Sequence, residues 1–383
     1  MSGLNASRGW WREMKPVFVL NARDEAAVVE RWVENVAPLA HAAVLVDTGS
    51  EDDTVANFRD ACNRLELSNF IFCRTWVDFA HNQTLLLELA SNAFPDRYLW
   101  NLDADEMVVP EGSYHPPEPG QDGFKVCRLY AETYEVWGVR VFWAGSGWRY
   151  VGERHAVPDQ TGKRVARLEG VHVINRRDGA RGKAMNPKEQ TARFERDAGL
   201  FRAKLEADNG DTRSAYYLAQ SLKDAGLWLD AIEAYGARAA MPGGFAEERY
   251  LSLFEKAKLL RLTGASDGDV ETAYRAAIAD RPFRNEARVE LCKLLRSAGR
   301  WRECYELAFD AAMVEKPADL FLVERDSYGW KPLFELALAS LRLEHSQSRQ
   351  LHETLLVMPT LPAPEKRLVE QNLQRHFSAQ SVG

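Results

Sequence analysis

The sequence predicts two domains of different class, an α/β domain over residues 1–185 and an all-α domain of helical repeats over residues 186–383. Short apolar runs alternate with helical patterns in the first half, which is typical of βαβ units around a mostly parallel sheet. After Gly182, β-branched residues become scarce, and long patterns of Ala, Leu, Glu and Arg with helical spacing replace them. A length of 383 residues also favours two hydrophobic cores over one.

The elements of the first half follow in a regular order. The apolar run PVFVL is followed by the helical pattern EAAVVERWVENVAPL, the run AAVLVDTGS, the helical pattern DTVANFRDACNRL and the run FIFCRTW. A further helix is predicted from about Asn82 to Asn92, and it leads to the strand-like RYLWNLDADEMVV. After the loop EGSYHPPEPGQDG, two aromatic runs, FKVCRLYAETYEV and VRVFWAGSGWRYVG, predict the last strands of the sheet.

The second half is predicted to consist of helical hairpins. SAYYLAQSLKDAGLWLDAIEAYGARAAMP reads as two helices with a turn at Gly226, and similar units end at Pro282 and Pro317, with a weaker one ending near Pro359. Gly226 and Gly299 are spaced by about two tetratricopeptide periods. The pattern therefore resembles tetratricopeptide repeats, in which each unit buries its apolar face against its neighbour. A plain α-helical bundle is the alternative.

Composition and charge narrow the class of protein. The net charge of −7 and the pI of about 5.8 argue against a surface that neutralises many nucleic-acid phosphates. No stretch approaches the roughly 18 apolar residues that span a bilayer, and the start, MSGLNASRGWWREMK, lacks a signal-peptide core. The five cysteines form no CxxC pair, which predicts reduced thiols rather than disulfides or a zinc site. We therefore expect a cytoplasmic protein.

A D-x-D motif, Asp103 and Asp105 within NLDADE, directly follows a strand-like apolar run. Residues two apart in a strand point the same way, so both carboxylates could address one cation. Like charges at a strand end must be solvated, protonated or bound to a cation, and hard oxygen ligands suit Mg²⁺ or Mn²⁺. The alternative is a solvated pair of carboxylates in a turn.

Two further polar motifs close predicted strands. Asp47 ends the run VLVDTGS, and the turn from Asn21 to Glu25 follows PVFVL. Because ligands bind at the carboxyl ends of strands in open α/β sheets, the three strand ends are expected to converge on one rim. An acidic group there can accept hydrogen bonds from a base or ribose. For the Asp47 motif the alternative is a helix cap, in which Ser50 or Asp52 satisfies free amides.

The ordered set of these three motifs resembles family 2 glycosyltransferases, over residues 16 to 185. In that family the first strand ends in a V-x-N-E-E-like turn, the second ends in D-T-G-S-x-D-x-T, and a metal-binding D-x-D follows. The resemblance implies a GT-A fold, a nucleotide-sugar donor, and a metal and diphosphate at Asp103 and Asp105. It also implies contacts with the nucleotide sugar for a larger set of residues: Asn21, Arg23, Glu25, Asp47 and Asp103.

Two segments depart from the family pattern. Phe79-Ala80-His81-Asn82-Gln83-Thr84 resembles the family's F-x-x-x-R segment, but Gln83 stands where the family usually has Arg. Gln83 is therefore a candidate for binding the nucleotide-sugar donor, with a neutral amide in place of the family's guanidinium. WRYVGERHAV resembles the family's W-x-Y-x-G-x-x-H-E segment on the acceptor side, with Ala156 in place of the usual Glu.

The catalytic base and a third metal ligand are expected near the end of the first domain. Inversion at the anomeric carbon needs a base that deprotonates the acceptor, for which the candidates are Glu153 and His155, with Asp178 as a further one. His172 could complete the metal site, because GT-A enzymes often supply a late histidine and imidazole suits Mn²⁺. For each of these residues a structural, hydrogen-bonded role is the alternative.

Two groups of residues near the domain boundary allow more than one interpretation. A basic stretch could clamp a diphosphate as a closing loop or be a solvated linker: Arg176, Arg177, Arg181 and Lys183. Aromatic residues fit either an acceptor cleft or an ordinary core: Trp137, Trp143, Trp148 and Tyr150.

The function predicted from these features is that of a metal-dependent, inverting glycosyltransferase of the hexosyltransferase type, with Mn²⁺ or Mg²⁺ and a UDP-sugar as the favoured donor. Tetratricopeptide-like grooves commonly bind extended peptides, so a protein or peptide acceptor is preferred. A glycan or lipid-linked acceptor and a modified base of DNA are the alternatives. A non-catalytic scaffold, which binds nucleotide and uses its repeats for protein interaction, is an alternative of another class, and self-association of the chain stays open.

Overall fold

The computed structural model describes residues 15–112, 114–117, 119–131, 133–152, 156–180 and 186–377. The chain divides into two compact units, residues 1–185 and 186–383. The first unit combines a mixed sheet with helices, and the described residues of the second unit are helical apart from one short strand. The predicted fold class, an α/β domain followed by an all-α domain, is confirmed. None of the helices in the described part of the chain has the length and apolarity needed to cross a bilayer.

The first unit contains short strands and three α-helices within the described ranges. The strands are β1 Val17–Ala22, β2 Ala42–Asp47, β3 Ser68–Cys73, β4 Tyr98–Asn101, β5 Glu106–Pro110, β6 Gly123–Tyr130, β7 Tyr134–Trp143, β8 Tyr150–Val151, β9 Val157–Pro158 and β10 Val165–Asn175. The helices are α1 Val29–Val36, α2 Thr54–Arg64 and α3 Phe79–Ala93, with a 3₁₀ turn at Ala144–Ser146.

The main sheet has the strand order β3-β2-β1-β4-β7-β6-β10-β5, and β8 pairs with β9 separately. Strands β1 to β4 are parallel to one another, whereas β7 is antiparallel to both β4 and β6. The chain moves from β1 to β3 in one direction and then returns to place β4 on the other side of β1. The carboxyl ends of β1 and β4 therefore flank a topological switch point, where open α/β sheets bind their ligands.

The sheet separates two apolar cores, because alternate side chains of each strand point to opposite faces. Phe18 and Leu20 of β1 pack with the residues of α1 and α2, whereas Val17 and Val19 pack with those of α3. By the same alternation, the side chain of Asn21 lies on the α3 face of the sheet. This division places the polar residues at the strand ends on both faces of the same edge of the sheet.

The end of the sheet differs from the prediction in two respects. The run FKVCRLYAETYEV does not form one strand, because the chain turns between β6 and β7, at Ala131, which has a left-handed φ of 47°. The sheet also does not finish near Gly152. Strand β10, which contains RLEGVHVIN, inserts between β6 and β5.

The second unit is a row of helices in which each helix packs against the next. Its helices are α4 Pro187–Ala207, α5 Thr212–Asp224, α6 Trp228–Ala240, α7 Ala246–Leu262, α8 Asp267–Asp280, α9 Glu286–Ser297, α10 Trp301–Ala312, α11 Trp330–Arg342, α12 Ser348–Leu356 and α13 Ala363–Phe377. A short strand, Val323–Glu324, and a 3₁₀ turn, Arg325–Tyr328, precede α11. The predicted hairpins correspond to α5–α6, α7–α8, α9–α10 and α11–α12, and the sequence defined neither α4 nor α13 as part of a unit.

Turn chemistry and small residues explain why these hairpins form. Gly226 and Gly299 adopt φ of 80° and 73°. This left-handed conformation commonly ends helices, and glycine adopts it without steric strain because it has no Cβ. Several small residues on the packed faces of these helices are fully buried: Ala219, Ala231, Ala277 and Cys304. Short side chains there let neighbouring helices approach closely.

A buried arginine joins the start of α9 to the connection between α10 and α11. Arg284 is fully buried, and its guanidinium donates to Glu286 at 2.9 and 3.0 Å and to Asp319 at 3.0 Å. Arg281 donates to the same Asp319 carboxylate. Two carboxylates therefore neutralise the cation, and removal of either would leave a buried charge only partly compensated.

We predict that Ala277→Leu destabilises the second unit by about 1–3 kcal/mol, because a larger side chain overpacks a fully buried helix crossing. The matched control is Ala276→Leu, which places the same side chain on the exposed side of the same helix. The free energy of unfolding in urea, followed by circular dichroism, measures both. Equal effects of the two variants would contradict the close helix packing described for α8.

His352 links α12 to α13, and it should make stability depend on pH. Its Nδ1 donates to the carbonyl of Ser348 at 2.8 Å, and its Nε2 accepts from Asn372 Nδ2 at 3.2 Å. Burial lowers the pKa of His352 below its usual 6.5, so the unfolded chain binds its proton more readily than the native chain does.

We therefore predict that stability is lost as the pH falls below about 6.5, by at most about 1.4 kcal/mol per pH unit from this group. His352→Gln should flatten that part of the pH profile in urea unfolding. His345→Gln, which alters an exposed histidine, should leave the profile as it is. An unchanged slope in His352→Gln would show that another group causes the acid sensitivity.

Candidate active site

The loops after β1 and β2 are held together by hydrogen bonds from backbone amides to side chains. The amide of Asp24 donates to Ser50 Oγ at 2.9 Å, and the amide of Glu51 donates to the Asp24 carboxylate at 2.8 Å. The amide of Glu25 donates to Thr54 Oγ1 at 2.7 Å. These contacts fix the rim of the crevice beside the end of β1.

Asp47 at the end of β2 is buried and organises its own turn. Its carboxylate accepts from the amides of Gly49 and Ser50 at 3.1 and 3.2 Å and from Ser50 Oγ at 2.5 Å. Asp52 accepts from the amide of Thr54 at 3.0 Å, as expected for the helix-cap alternative. Asp52 thus satisfies one amide at the start of α2, while the residue before the helix, Asp53, makes no capping bond with its side chain. A contact between Asp47 and a nucleotide stays a prediction.

The D-x-D motif lies between β4 and β5, beside two arginines that the sequence did not single out. The carboxylate of Asp103 lies 3.4 Å from Arg128 Nη2 and 3.8 Å from Arg140 Nη1, and its side chain is 44% exposed. Glu106 is buried, lies 2.5 Å from Arg128 Nη2 and accepts from the amide of Asp103 at 3.0 Å. Burial and the charge of Asp103 raise the pKa of Glu106 to about 7.

Asp105 has a different environment from Asp103. Its Oδ1 accepts from Asn175 Nδ2 at 3.2 Å, and no ion pair involves its carboxylate within the described ranges. Burial raises the pKa of Asp105, and the charges of Asp103 and Glu106 raise it further. The ionised form of Asp105 is therefore destabilised in the protein, and a cation bound beside it would relieve that cost.

The segment after β10, residues 176–180, lies against the rim. The amide of Ala180 donates to Glu25 Oε2 at 3.0 Å, and a Cβ on Gly179 would meet Glu25 at 3.0 Å and Asp105 at 3.2 Å. Asp178, one of the base candidates, accepts from both terminal nitrogens of Arg31 at 2.6 and 2.7 Å. This bidentate ion pair makes Asp178 an anchor of the segment rather than a base.

The structure does not bring His172 to the D-x-D motif. In the antiparallel pairing of β10 with β5, His172 faces Val109 whereas Asn175 faces Glu106, so the histidine lies ~10 Å farther along the strand. Its Nδ1 lies 3.0 Å from Glu111 Oε1. The structure therefore shows His172 in contact with Glu111 rather than beside the D-x-D motif. Across the described ranges, no group of three or more His, Cys, Asp or Glu is arranged to hold a metal.

A neutral polar group lies on the α3 side of the same crevice. Asn101, at the end of β4, donates from Nδ2 to Gln83 Oε1 at 2.6 Å and to the hydroxyl of Tyr150 at 3.1 Å. Asn21, at the end of β1, donates to the carbonyl of Asn82 at 3.0 Å. The sequence analysis missed Asn101, although its position two residues before the D-x-D motif on an apolar strand was a usable signal.

The other candidates are placed as follows. Arg23 is exposed in the loop after β1, 3.6 Å from Asp24. Glu153 and His155, the two candidates for the base, lie outside the described residues, as do Arg181 and Lys183 of the basic stretch. Two of the aromatic residues belong to the core rather than to a cleft, because Trp143 packs on Tyr98 and Trp148 packs on Phe142.

No protein-family model matches the sequence, and no curated protein matches it. Solved structures similar to the chain include tetratricopeptide-repeat proteins and glycosyltransferases. YrrB, a tetratricopeptide-repeat protein with an unusual peptide-binding site, matches with a TM-score of 0.36 and 10% identity over 48% of this chain and 84% of that chain.

Two glycosyltransferase structures are also similar. Glucosyl-3-phosphoglycerate synthase from Mycobacterium tuberculosis, in complex with Mn²⁺, UDP and glucosyl-3-phosphoglycerate, matches with a TM-score of 0.22 and 15% identity over 31% of this chain and 46% of that chain. TarS 1–349 from S. aureus matches with a TM-score of 0.31 and 11% identity over 69% of this chain and 92% of that chain. At such low identities and TM-scores, these likenesses carry no conclusion about function.

We predict that Gly179→Ala loosens the segment over the rim. The added Cβ would crowd Glu25 and Asp105, so the hydrogen bond from the amide of Ala180 to Glu25 should weaken and that amide should exchange about tenfold faster. Hydrogen exchange measures this. The control is Gly199→Ala in α4, where a Cβ meets nothing within 4 Å, and it should raise stability by about 0.5–1 kcal/mol. Unchanged exchange at Ala180 in Gly179→Ala would contradict the described contact.

Proposed function

We propose that this chain is a metal-dependent glycosyltransferase of the family 2 type, which transfers a sugar from a nucleotide-sugar donor, preferably a UDP-sugar. The observation that carries the proposal is the acidic D-x-D pair beside the β1–β4 switch point, at the edge of the sheet where α/β folds bind ligands. A pair of carboxylates at that edge suits a cation that in turn binds a diphosphate.

The electrostatics of the pair favour a bound cation. Asp105 is partly desolvated and has no ion pair within the described ranges, and its raised pKa reflects the cost of its charge. Asp103 remains half-exposed and so is accessible from the crevice. We therefore assign Mn²⁺ or Mg²⁺ to Asp103 and Asp105, with water completing the coordination. When bound, such a cation neutralises the charge that develops on the leaving diphosphate.

The donor is expected to extend from the D-x-D pair along the edge of the sheet toward β2. In this arrangement Asp47 and the β1 loop, with Arg23 and Glu25, contact the base and ribose, and Asn21 at the end of β1 also contacts the nucleotide sugar. The hydrogen bonds between the β1 and β2 loops support this assignment, because they hold a rim of fixed shape before any ligand arrives. Gln83 lies on the other side of the crevice, beside β4.

The proposed reaction is a displacement at the anomeric carbon with inversion. A new bond forms between that carbon and the acceptor heteroatom as its bond to the diphosphate oxygen breaks, and the acceptor proton passes to a base. We retain Glu153, with His155 as the alternative, as that base. The electron pair of the broken bond leaves with the nucleoside diphosphate.

We further propose that residues 1–185 and 186–383 act as separate functional domains, catalytic and acceptor-binding, and that the acceptor is a protein or peptide. Stacked helical hairpins in the second unit support this part of the proposal, because such arrays present extended surfaces to partners. Transfer assays with peptide, glycan and DNA acceptors would separate the three acceptor classes.

Asp105→Asn tests the central assignment, and we predict opposite effects on folding and on binding. Removal of a destabilised charge should leave the Tm of the free protein unchanged or higher. The same change should raise the Kd for UDP in the presence of Mn²⁺ by at least about tenfold, measured by calorimetry. The matched control is Asp96→Asn, which alters an exposed aspartate before β4.

Two outcomes would contradict the proposal. If Asp105→Asn lowers the Tm and leaves nucleotide binding as it was, Asp105 has a structural role. If UDP binds but no nucleotide sugar is hydrolysed or used with any acceptor, the chain is a nucleotide-binding scaffold rather than an enzyme.

A further inference from the structure

The α3 side of the crevice carries polar side chains of a different character from the acidic side. Asn21 and Asn101 end the two strands that flank the switch point, and Gln83 lies in the first turns of α3. Tyr150 of β8 completes the group. All four side chains are neutral, whereas the D-x-D pair two residues beyond Asn101 is anionic.

The position of Asn101 is fixed from two sides. Its side chain is buried, and its two amide hydrogens are used by Gln83 Oε1 and by the hydroxyl oxygen of Tyr150. Tyr150 is itself attached to α3, because its backbone amide donates to Thr84 Oγ1 at 2.9 Å. Strand β4, strand β8 and helix α3 thus hold this amide in one orientation.

The orientation of Asn101 determines which end of Gln83 faces outward. Since Gln83 Oε1 accepts from Asn101, the Nε2 group of the same planar amide points the other way. That Nε2 has no hydrogen-bond partner among the residues the structure describes. Gln83 therefore keeps one donor group free for a ligand.

Asn21 offers the complementary atom. Its Nδ2 is used by the carbonyl of Asn82, the neighbour of Gln83. Its Oδ1 is buried and accepts no hydrogen bond within the described ranges. A buried acceptor without a donor is costly, so this atom is expected to gain a partner from a ligand.

We propose that Gln83 Nε2 and Asn21 Oδ1 bind hydroxyl groups of the transferred sugar, and that Asn101 is the positioning residue that turns Gln83 into a donor. The proposal rests on the function proposed above. A sugar hydroxyl donates and accepts at once, which matches the free acceptor of Asn21 and the free donor of Gln83, the residue after the Asn82 that Asn21 contacts. The diphosphate assigned to the D-x-D pair carries the sugar, so the sugar lies within reach of the end of β4.

The experiment compares a nucleotide with its sugar derivative in the full chain. Calorimetry in the presence of Mn²⁺ gives the Kd for UDP and the Kd for UDP-glucose. The variants are Gln83→Glu, which keeps the acceptor for Asn101 but removes the outward donor, and Gln83→Met, which removes both without adding charge. Asn101→Asp replaces the positioning donor by an acceptor.

We predict that each variant raises the Kd for UDP-glucose by about tenfold and changes the Kd for UDP by less than about twofold. The control, Asn92→Asp, adds the same charge as Gln83→Glu but at the exposed far end of α3. It should change the Kd for neither ligand.

Other results would overturn the proposal in distinguishable ways. If Gln83→Met lowers the affinity for UDP and for UDP-glucose equally, the side chain of Gln83 contacts the base or the diphosphate rather than the sugar. An unchanged ratio of the two Kd values in Asn101→Asp would remove the positioning role. Wild-type protein that binds no nucleoside diphosphate with Mn²⁺ would overturn the proposed function and this subsite together.

Discussion

The reversal of chain direction between β3 and β4 is the constraint on which the rest of the first unit depends. It puts α1 and α2 on one face of the sheet and α3 on the other, and it leaves β1 between parallel neighbours that diverge into different loops. Polar side chains at the strand ends then meet from both faces. One face supplies carboxylates and the other supplies amides, so the two faces of the sheet edge differ in charge and in hydrogen-bonding chemistry.

The sequence predicted what depends on local order and missed what depends on pairing between distant strands. Asp103 and Asp105 were found because a motif of adjacent residues closes an apolar run. Arg128 and Arg140 reach that motif only through the arrangement of β6 and β7, which no local pattern encodes. His172 was misplaced for the same reason, since the register of β10 against β5 decides which of its residues meets the motif.

The two units use buried charge in opposite ways. In the second unit, Arg284 is neutralised by Glu286 and Asp319, so its burial holds helices and a connection in place. In the first unit, Asp105 is left without an ion pair in the described residues and Glu106 keeps a raised pKa. Buried charges that lack a partner, in a protein that pairs its other buried charges, are typical of a binding site that a ligand completes.

The Arg284–Asp319 ion pair also makes some parts of the helical array more resistant to unfolding than others. Arrays of stacked repeats ordinarily open one unit at a time from an end, because each unit contacts only its neighbours. Here the ion pair fastens two points 35 residues apart, with α9 and α10 enclosed between them. Under tension from the carboxyl end, α13 and α12 would detach first. A higher force would then be needed to break the Arg284–Asp319 ion pair before α10 could unfold.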